Sequence, residues 1–211
     1  MNENEKNRGL EAIASGIGRI ALVSSFSEEL YGLAARIYRE AGGGYKEKEA
    51  WKQQAESILE KREYREYAVF EKAARAYRKA GMKEEMKEAW KNAGDAHIAE
   101  NHFDEAVKAY QKIGDENIRK MLDGFEADKA NMSCDDMFVF ARLKGYLRDP
   151  EAPALNKHLD SKFVSHCCAF HNPEMREASV YFAEKGFKKV AEKMLEMHDA
   201  LPARWEQHGR Y

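Results

Sequence analysis

Two matching stretches of nine residues decide the fold. Residues 34–42 read Ala-Ala-Arg-Ile-Tyr-Arg-Glu-Ala-Gly, and residues 73–81, which begin 39 positions later, read Ala-Ala-Arg-Ala-Tyr-Arg-Lys-Ala-Gly. The same offset relates Lys48–Lys52 to Lys87–Lys91, and both of these stretches read Lys-Glu-Ala-Trp-Lys. A constant offset across two apolar stretches and the turn between them predicts duplicated helical hairpins.

Each copy has the pattern of a helix that ends in a turn. Between residues 73 and 80 the alanines and Tyr77 recur at helical spacing, which predicts one apolar stripe. Gly42 and Gly81 follow the last apolar position, where a left-handed C-cap residue is expected. One hairpin cannot bury its stripe alone, so hairpins are expected to stack. A fainter third copy is carried by Ala178, Phe182 and Gly186.

Composition agrees with helices and disfavours several classes of protein. Charged residues make up 34% of the 211 residues, yet the net charge is only −2, which is typical of solvated helix faces and not of a nucleic-acid-binding domain. The chain has four prolines and none between Arg8 and Arg148, which favours helices over strands and turns. The fold class predicted is therefore all-α.

Membrane and redox signals are weak in this sequence. Apolar runs such as Ile20–Val23 are far shorter than the roughly 20 residues that a membrane span needs. The segment Met1–Val23 lacks a basic beginning and is interpreted as a helix of the mature protein and not as a signal peptide. Three cysteines, two of them adjacent, form no disulfide framework, which favours a reducing compartment, cytoplasm or nucleus, and the cytoplasm is predicted.

Helix boundaries were predicted from caps, glycines and prolines. Ser27 is expected to be an N-cap, and Ser133 or Asp135 is expected to cap the helix that contains Met137–Leu143. Pro202 is expected to end the regular structure. One domain, 1–211, is predicted, with its best repeats at 27–120, a less regular part at 133–200 and a tail at 201–211. The other helices are predicted at Leu10–Val23, Ser27–Ala41, Asp115–Ala130, Ala154–Phe170, Pro173–Lys185 and Phe187–His198.

Residues 88–114 resemble a tetratricopeptide repeat. The matching positions are Trp90, Gly94, Phe103, Ala106 and Tyr110. The longer repeat at 49–81 is similar in spacing to the repeats of soluble NSF attachment proteins. The resemblance covers Ser27–Asp115 and implies an α-solenoid, a right-handed superhelix of stacked antiparallel hairpins. It also implies that the first helix of each hairpin lines a concave groove for a peptide or a partner helix, with candidate residues Lys52, Gln53, Glu56, Lys91, Asn92 and Asp95.

These observations predict a non-enzymatic adaptor or scaffold that binds a protein or peptide, without a cofactor and without nucleic acid. Two alternatives stay open: a trafficking factor resembling soluble NSF attachment proteins, and an accessory helical-repeat region of a larger machine such as a helicase. The only group with metal-ligand or nucleophile chemistry is His166, Cys167, Cys168 and His171. It lacks a second ligand pair such as Cys-x-x-Cys, so packing residues are the favoured interpretation over a metal or catalytic site.

Overall fold

The computed structural model describes residues 2–60, 65–159 and 173–208, and within these residues helices are the only regular secondary structure. The prediction of an all-α protein is thus confirmed. A 3₁₀ turn at Gln111–Ile113 follows α6. The helices are α1 (Glu3–Ala21), α2 (Ser27–Glu40), α3 (Gly44–Glu60), α4 (Glu66–Ala80), α5 (Lys83–Ala99), α6 (Phe103–Tyr110), α7 (Asp115–Ala127), α8 (Cys134–Tyr146), α9 (Ala152–His158), α10 (Pro173–Glu184) and α11 (Lys188–His208).

The chain divides into two compact units, residues 1–96 and residues 97–211. The first is called the repeat unit here, because it contains both copies of the nine-residue stretch. The second is called the aromatic unit, because phenylalanines fill its core. The prediction of one domain over the whole chain stays a prediction.

Consecutive helices of the repeat unit pack side by side, α1 on α2, α2 on α3 and α3 on α4. The pair α2 and α3 runs antiparallel, since contacts join opposite ends of the two helices. The hydroxyls of Ser27 and Ser57 contact each other where α2 begins and α3 ends. At the other end, Arg39 Nη2 lies 2.5 Å from Glu47 Oε1.

Two equivalent apolar clusters hold these helices together. The first contains Ala34, Ala35, Ala50 and Trp51. The second contains the residues 39 positions later, namely Ala73, Ala74 and Ala89, with Trp90 packed against them. Side chains as small as alanine let helix backbones approach closely, so the aromatic residue of each copy fills the space that remains.

The repeat predicts that Trp51 and Trp90 occupy equivalent buried positions in successive hairpins. Both occupy the equivalent position, but Trp51 is buried whereas Trp90 is only partly buried. The prediction of equal burial is therefore wrong. Trp51 has two neighbours from the end of α4: Ala80 belongs to its cluster, and the ammonium of Lys79 lies over its ring.

The glycine caps that were predicted from the repeat are confirmed. Gly42 and Gly81 have φ angles of 76° and 79°, and Gly186 has 89°. In each case the N–H of the next residue donates to the carbonyl of the aromatic residue four positions before the glycine. The N···O distances are 2.9 Å to Tyr38, 3.0 Å to Tyr77 and 2.8 Å to Phe182. All three copies thus end in the same left-handed cap, including the faint third one.

Several predicted helix boundaries were right. Ser133 caps α8, accepting from the Asp136 N–H at 3.0 Å. The breaks predicted around 131–136 and 149–153 separate α7, α8 and α9. Helix α9 ends at His158, and most of the remainder of the predicted helix Ala154–Phe170 lies outside the described residues.

Three boundary predictions were wrong. Helix α1 begins at Glu3 and not at Leu10, because Asn2 and Glu5 form a reciprocal capping box. Ser27 is the first residue of α2 and caps nothing, since its hydroxyl contacts Ser57 instead. Helix α11 continues through Pro202 to His208, so the predicted tail at 201–211 begins too early. A proline removes one helical hydrogen bond and can kink a helix without ending it.

The aromatic unit is organised around α8. Residues 137–141 of this helix are all buried, as are Leu143 and Lys144. A run of consecutive buried apolar residues covers more than one face of a helix, so the middle of α8 lies within the core. Helices α6, α7, α9 and α11 all contact it. Phenylalanine rings surround it, with centroid separations of 5.4 Å for Phe103–Phe138 and 5.9 Å for Phe140–Phe187.

Candidate functional site

The six predicted groove residues lie on the surface of two equivalent helices of the repeat unit. Lys52, Gln53 and Glu56 are on α3, and none of them is buried. Their counterparts on α5 occupy the positions 39 residues later. These are Lys91, Asn92 and Asp95, and they are also not buried.

The equivalent residues also make equivalent contacts. Lys52 Nζ lies 3.8 Å from Glu56 Oε1, and Lys91 donates to Asp95 Oδ2 at 2.9 Å. Both contacts join residues four apart on one helix turn. About half of each carboxylate side chain is exposed, so water screens both pairs and each is worth only a few tenths of a kcal/mol. A partner could therefore replace either pair at little cost.

The other candidate group from the sequence, His166, Cys167, Cys168 and His171, lies outside the described residues. Cys134 is described and is not in a disulfide. In the parts of the chain that the structure describes, no group of three or more His, Cys, Asp or Glu side chains is arranged to hold a metal ion.

The buried Lys144 of the aromatic unit forms ion pairs with three carboxylates. Lys144 Nζ lies 3.0 Å from both Glu126 and Glu151 and 3.6 Å from Asp149. Burial lowers the pKa of Lys144, but hydrogen bonds to the two glutamates outweigh it and leave the pKa raised. The network joins α7, α8 and the start of α9, and its carboxylates neutralise the lysine. It therefore stabilises the unit and leaves no unmatched positive charge for a ligand.

The repeat unit contains a polar cleft that sequence reasoning missed. It has a volume of about 260 Å³ and lies between α2, α3 and α4. Its floor includes the ring of Trp51, over which Lys79 Nζ lies 3.9 Å from the centroid. We call it the Trp51 cleft, and its lining residues are Glu29, Gly32, Arg36, Trp51, Gln54 and Lys79.

Local contacts hold the wall of the Trp51 cleft in place. The Gln54 amide donates to the Glu28 carbonyl at 3.0 Å and so joins α3 to α2. A Cβ at Gly32 would lie 2.7 Å from that amide nitrogen, which is too close. Glycine at position 32 is therefore needed for Gln54 to reach its acceptor.

The charges near the Trp51 cleft do not balance. Glu47 accepts from Arg39 and from the Trp51 indole N–H, at 2.7 and 3.2 Å. The bond from Arg39 lowers the pKa of Glu47, so that pair is internally neutral. Arg36 only donates to the Gly32 carbonyl, at 3.3 Å. Among the described residues, neither Arg36 nor Lys79 has a carboxylate within ion-pair distance.

Sequence reasoning missed this cleft because its members are far apart in the chain. Arg36, Trp51 and Lys79 come from three different helices, and only helix packing brings them together. Trp51 is buried and packs within the core of the repeat unit. Its indole nevertheless supplies one surface of the cleft.

None of the described helices is long and apolar enough to cross a membrane. The chain matches no family model, no curated protein and no solved structure. The resemblance to tetratricopeptide repeats therefore stays a prediction that rests on the residues quoted for it.

Proposed function

We propose that the chain is a non-enzymatic adaptor or scaffold that binds a peptide or partner helix through the exposed face of α3 and α5. The binding residues are Lys52, Gln53, Glu56, Lys91, Asn92 and Asp95. In this proposal the hairpins continue as a right-handed superhelix, the six residues line its concave side, and the protein acts in the cytoplasm.

The observation that carries the proposal is the repetition of one polar surface. Successive first helices bury the same alanine position, pack a tryptophan at the same position, and keep the same lysine, amide and carboxylate positions outside the core. Repeated modules that differ little from one another create an extended surface with periodic contacts, which suits an extended or helical partner. Contacts through such exposed charges are screened at physiological salt, so binding is expected to be modest and salt-sensitive.

The ion pairs determine how this proposal is best tested. Replacing Lys52 by glutamate alone would place like charges four residues apart and weaken the helix. Swapping both members of each pair, with Lys52→Glu, Glu56→Lys, Lys91→Glu and Asp95→Lys, keeps both pairs. Glutamate before lysine at this spacing is the better orientation, which offsets the loss of the 4.0 Å contact between Lys52 and Glu49, so the swapped helices should be about as stable. Net charge is unchanged.

The experiment is affinity capture of partners by the natural chain and by the fourfold swap, with identification by mass spectrometry and circular dichroism as the folding control. We expect the swapped protein to lose the partner while it keeps its helix content. A matched control is the swap Glu71→Lys with Arg75→Glu on α4, which reverses another i, i+4 pair. If the control swap loses the same partner, or the fourfold swap retains it, the proposed binding face is wrong.

A further inference from the structure

We propose that the Trp51 cleft is a second binding site, distinct from the face of α3 and α5, and that it takes a carboxylate side chain of an acidic peptide segment. The proposal does not depend on the adaptor face. It rests on where α2, α3 and α4 place two cations, an aromatic ring and two hydrogen-bond acceptors.

The cations of the cleft are available to a ligand. The Arg36 and Lys79 side chains line it, and within the described chain neither is paired with a carboxylate. Glu47 forms an ion pair with Arg39, the other arginine of α2, and does not neutralise Arg36 or Lys79. A negatively charged group that entered the cleft would gain charge-assisted hydrogen bonds from both side chains.

Lys79 is exposed to solvent, and its charged neighbours are positive. Partial burial, and then the positive charges of neighbours such as Arg39 and Arg36, lower the pKa of its ammonium. Among the described residues, its close contact is with the face of the Trp51 ring, at 3.9 Å from the centroid. A cation–π contact of this kind is weaker than a hydrogen-bonded carboxylate, so an acidic ligand would relieve the repulsion.

The remaining lining residues favour a peptide over a bare phosphate. Glu29 lines the same cleft, and its negative charge would repel a dianion. Its carboxylate can instead accept backbone N–H groups of a peptide. Gln54 keeps its side-chain oxygen as a further acceptor, since its amide nitrogen is the atom that holds Glu28. A volume of about 260 Å³ accommodates one or two side chains and not a folded domain.

Fluorescence anisotropy with a labelled peptide of ten glutamates, and with one of ten glutamines, tests the proposal on the full-length protein. We expect the glutamate peptide to bind and the glutamine peptide not to bind. The double variant Arg36→Gln, Lys79→Gln should weaken binding at least about tenfold, which is the size expected when a charge-assisted contact is lost. Absence of binding by the glutamate peptide would overturn the proposal.

Two further variants separate the cleft from net charge and from folding. Lys83→Gln with Lys87→Gln removes the same number of charges at the start of α5, and it should leave binding unchanged. Arg36→Lys with Lys79→Arg keeps both charges and should bind within a few-fold of the natural chain. Equal loss in the α5 control, or full loss in the charge-keeping variant, would contradict the assignment.

Competition with inorganic phosphate identifies the class of ligand. Inorganic phosphate should displace the glutamate peptide only at far higher concentration, and displacement at equal concentration would overturn the assignment to a peptide.

The fourfold swap on α3 and α5 identifies the site, and it should leave binding of the glutamate peptide unchanged. If the swap abolishes partner capture but spares the glutamate peptide, the two sites are separate. If it abolishes peptide binding, the peptide binds the α3 and α5 face and the proposed second site is wrong.

Discussion

The repeat unit and the aromatic unit fill their cores in different ways. In the repeat unit most of the buried positions are alanines, and one or two large aromatic side chains complete each cluster. In the aromatic unit the fully buried side chains are large, among them Tyr110, Phe140 and Phe182. Alanine stripes require helices of similar length at close spacing. Large aromatic residues can fill the gaps beside short helices such as the seven-residue α9.

This difference determines where a regular binding surface can form. In the repeat unit the outward positions recur with the inward ones, so the same polar residues face outward on α3 and α5. In the aromatic unit the middle of α8, residues 137–141, is buried and forms part of the core. The repeat unit is therefore the part of the chain in which both proposed sites lie.

The largest expected effect comes from truncating an aromatic residue in the core of the aromatic unit. Phe140→Ala should cost about 3–5 kcal/mol, since the ring is fully buried and neighbouring rings cannot fill the cavity. Urea unfolding followed by circular dichroism measures this cost. Phe26→Ala, at a largely exposed residue of the repeat unit, is the control and should cost less than about 0.5 kcal/mol. Similar losses in both variants would contradict the assigned core.

Enlarging a buried side chain of the repeat unit should lower the free energy of unfolding by a smaller amount. Ala73→Leu should cost about 1–3 kcal/mol, because Ala73 is fully buried where α3, α4 and α5 approach and a larger side chain has no space. Ala12→Leu, on the exposed side of α1, is the matched control and should be close to neutral. Thermal denaturation measures the melting temperature of both variants. An unchanged melting temperature for Ala73→Leu would refute close alanine packing.

The smallest expected loss of stability comes from replacing one glycine cap in each unit. Gly81→Ala and Gly186→Ala should each cost about 1 kcal/mol, because both glycines have the left-handed φ that an alanine adopts at a penalty. At Gly186 the nearest atom to a new Cβ is Lys129 Cε at 3.1 Å, and that flexible side chain can move. Gly124→Ala, within α7 and with open space around it, should instead stabilise the protein. Equal stabilisation of all three would show that the caps are misassigned.

Much of this fold could be predicted from the sequence because its signals are local. The offset of 39 residues predicted the helical hairpins, and the glycines after the last apolar position predicted the caps at Gly42 and Gly81. The capping box at Asn2 and Glu5 is also a local signal, but it lies before the first apolar residues, from which the start of the helix at Leu10 was predicted. At Pro202 the usual helix-ending rule failed, since a single proline does not always end a helix.

The site was less predictable because it depends on packing between helices. The six groove positions are what the resemblance to tetratricopeptide repeats implies, and their ion pairs agree with a solvated face. The Trp51 cleft has no signal in residue spacing, since Arg36 and Lys79 become neighbours only when α2 and α4 pack against α3. Burial of Trp51 and the half-burial of Trp90 also depend on what covers each ring, which the repeat alone does not determine.

Site-specific photo-crosslinking tests the central claim most directly. A photoreactive amino acid is placed at Gln53, at the equivalent Asn92, and at Arg75 on an exposed part of α4 as the control. If the repeated face of α3 and α5 binds the partner, the same partner should crosslink from positions 53 and 92 and not from position 75. Crosslinking that is equal at all three positions, or a partner that is captured but crosslinks at neither 53 nor 92, would contradict the account.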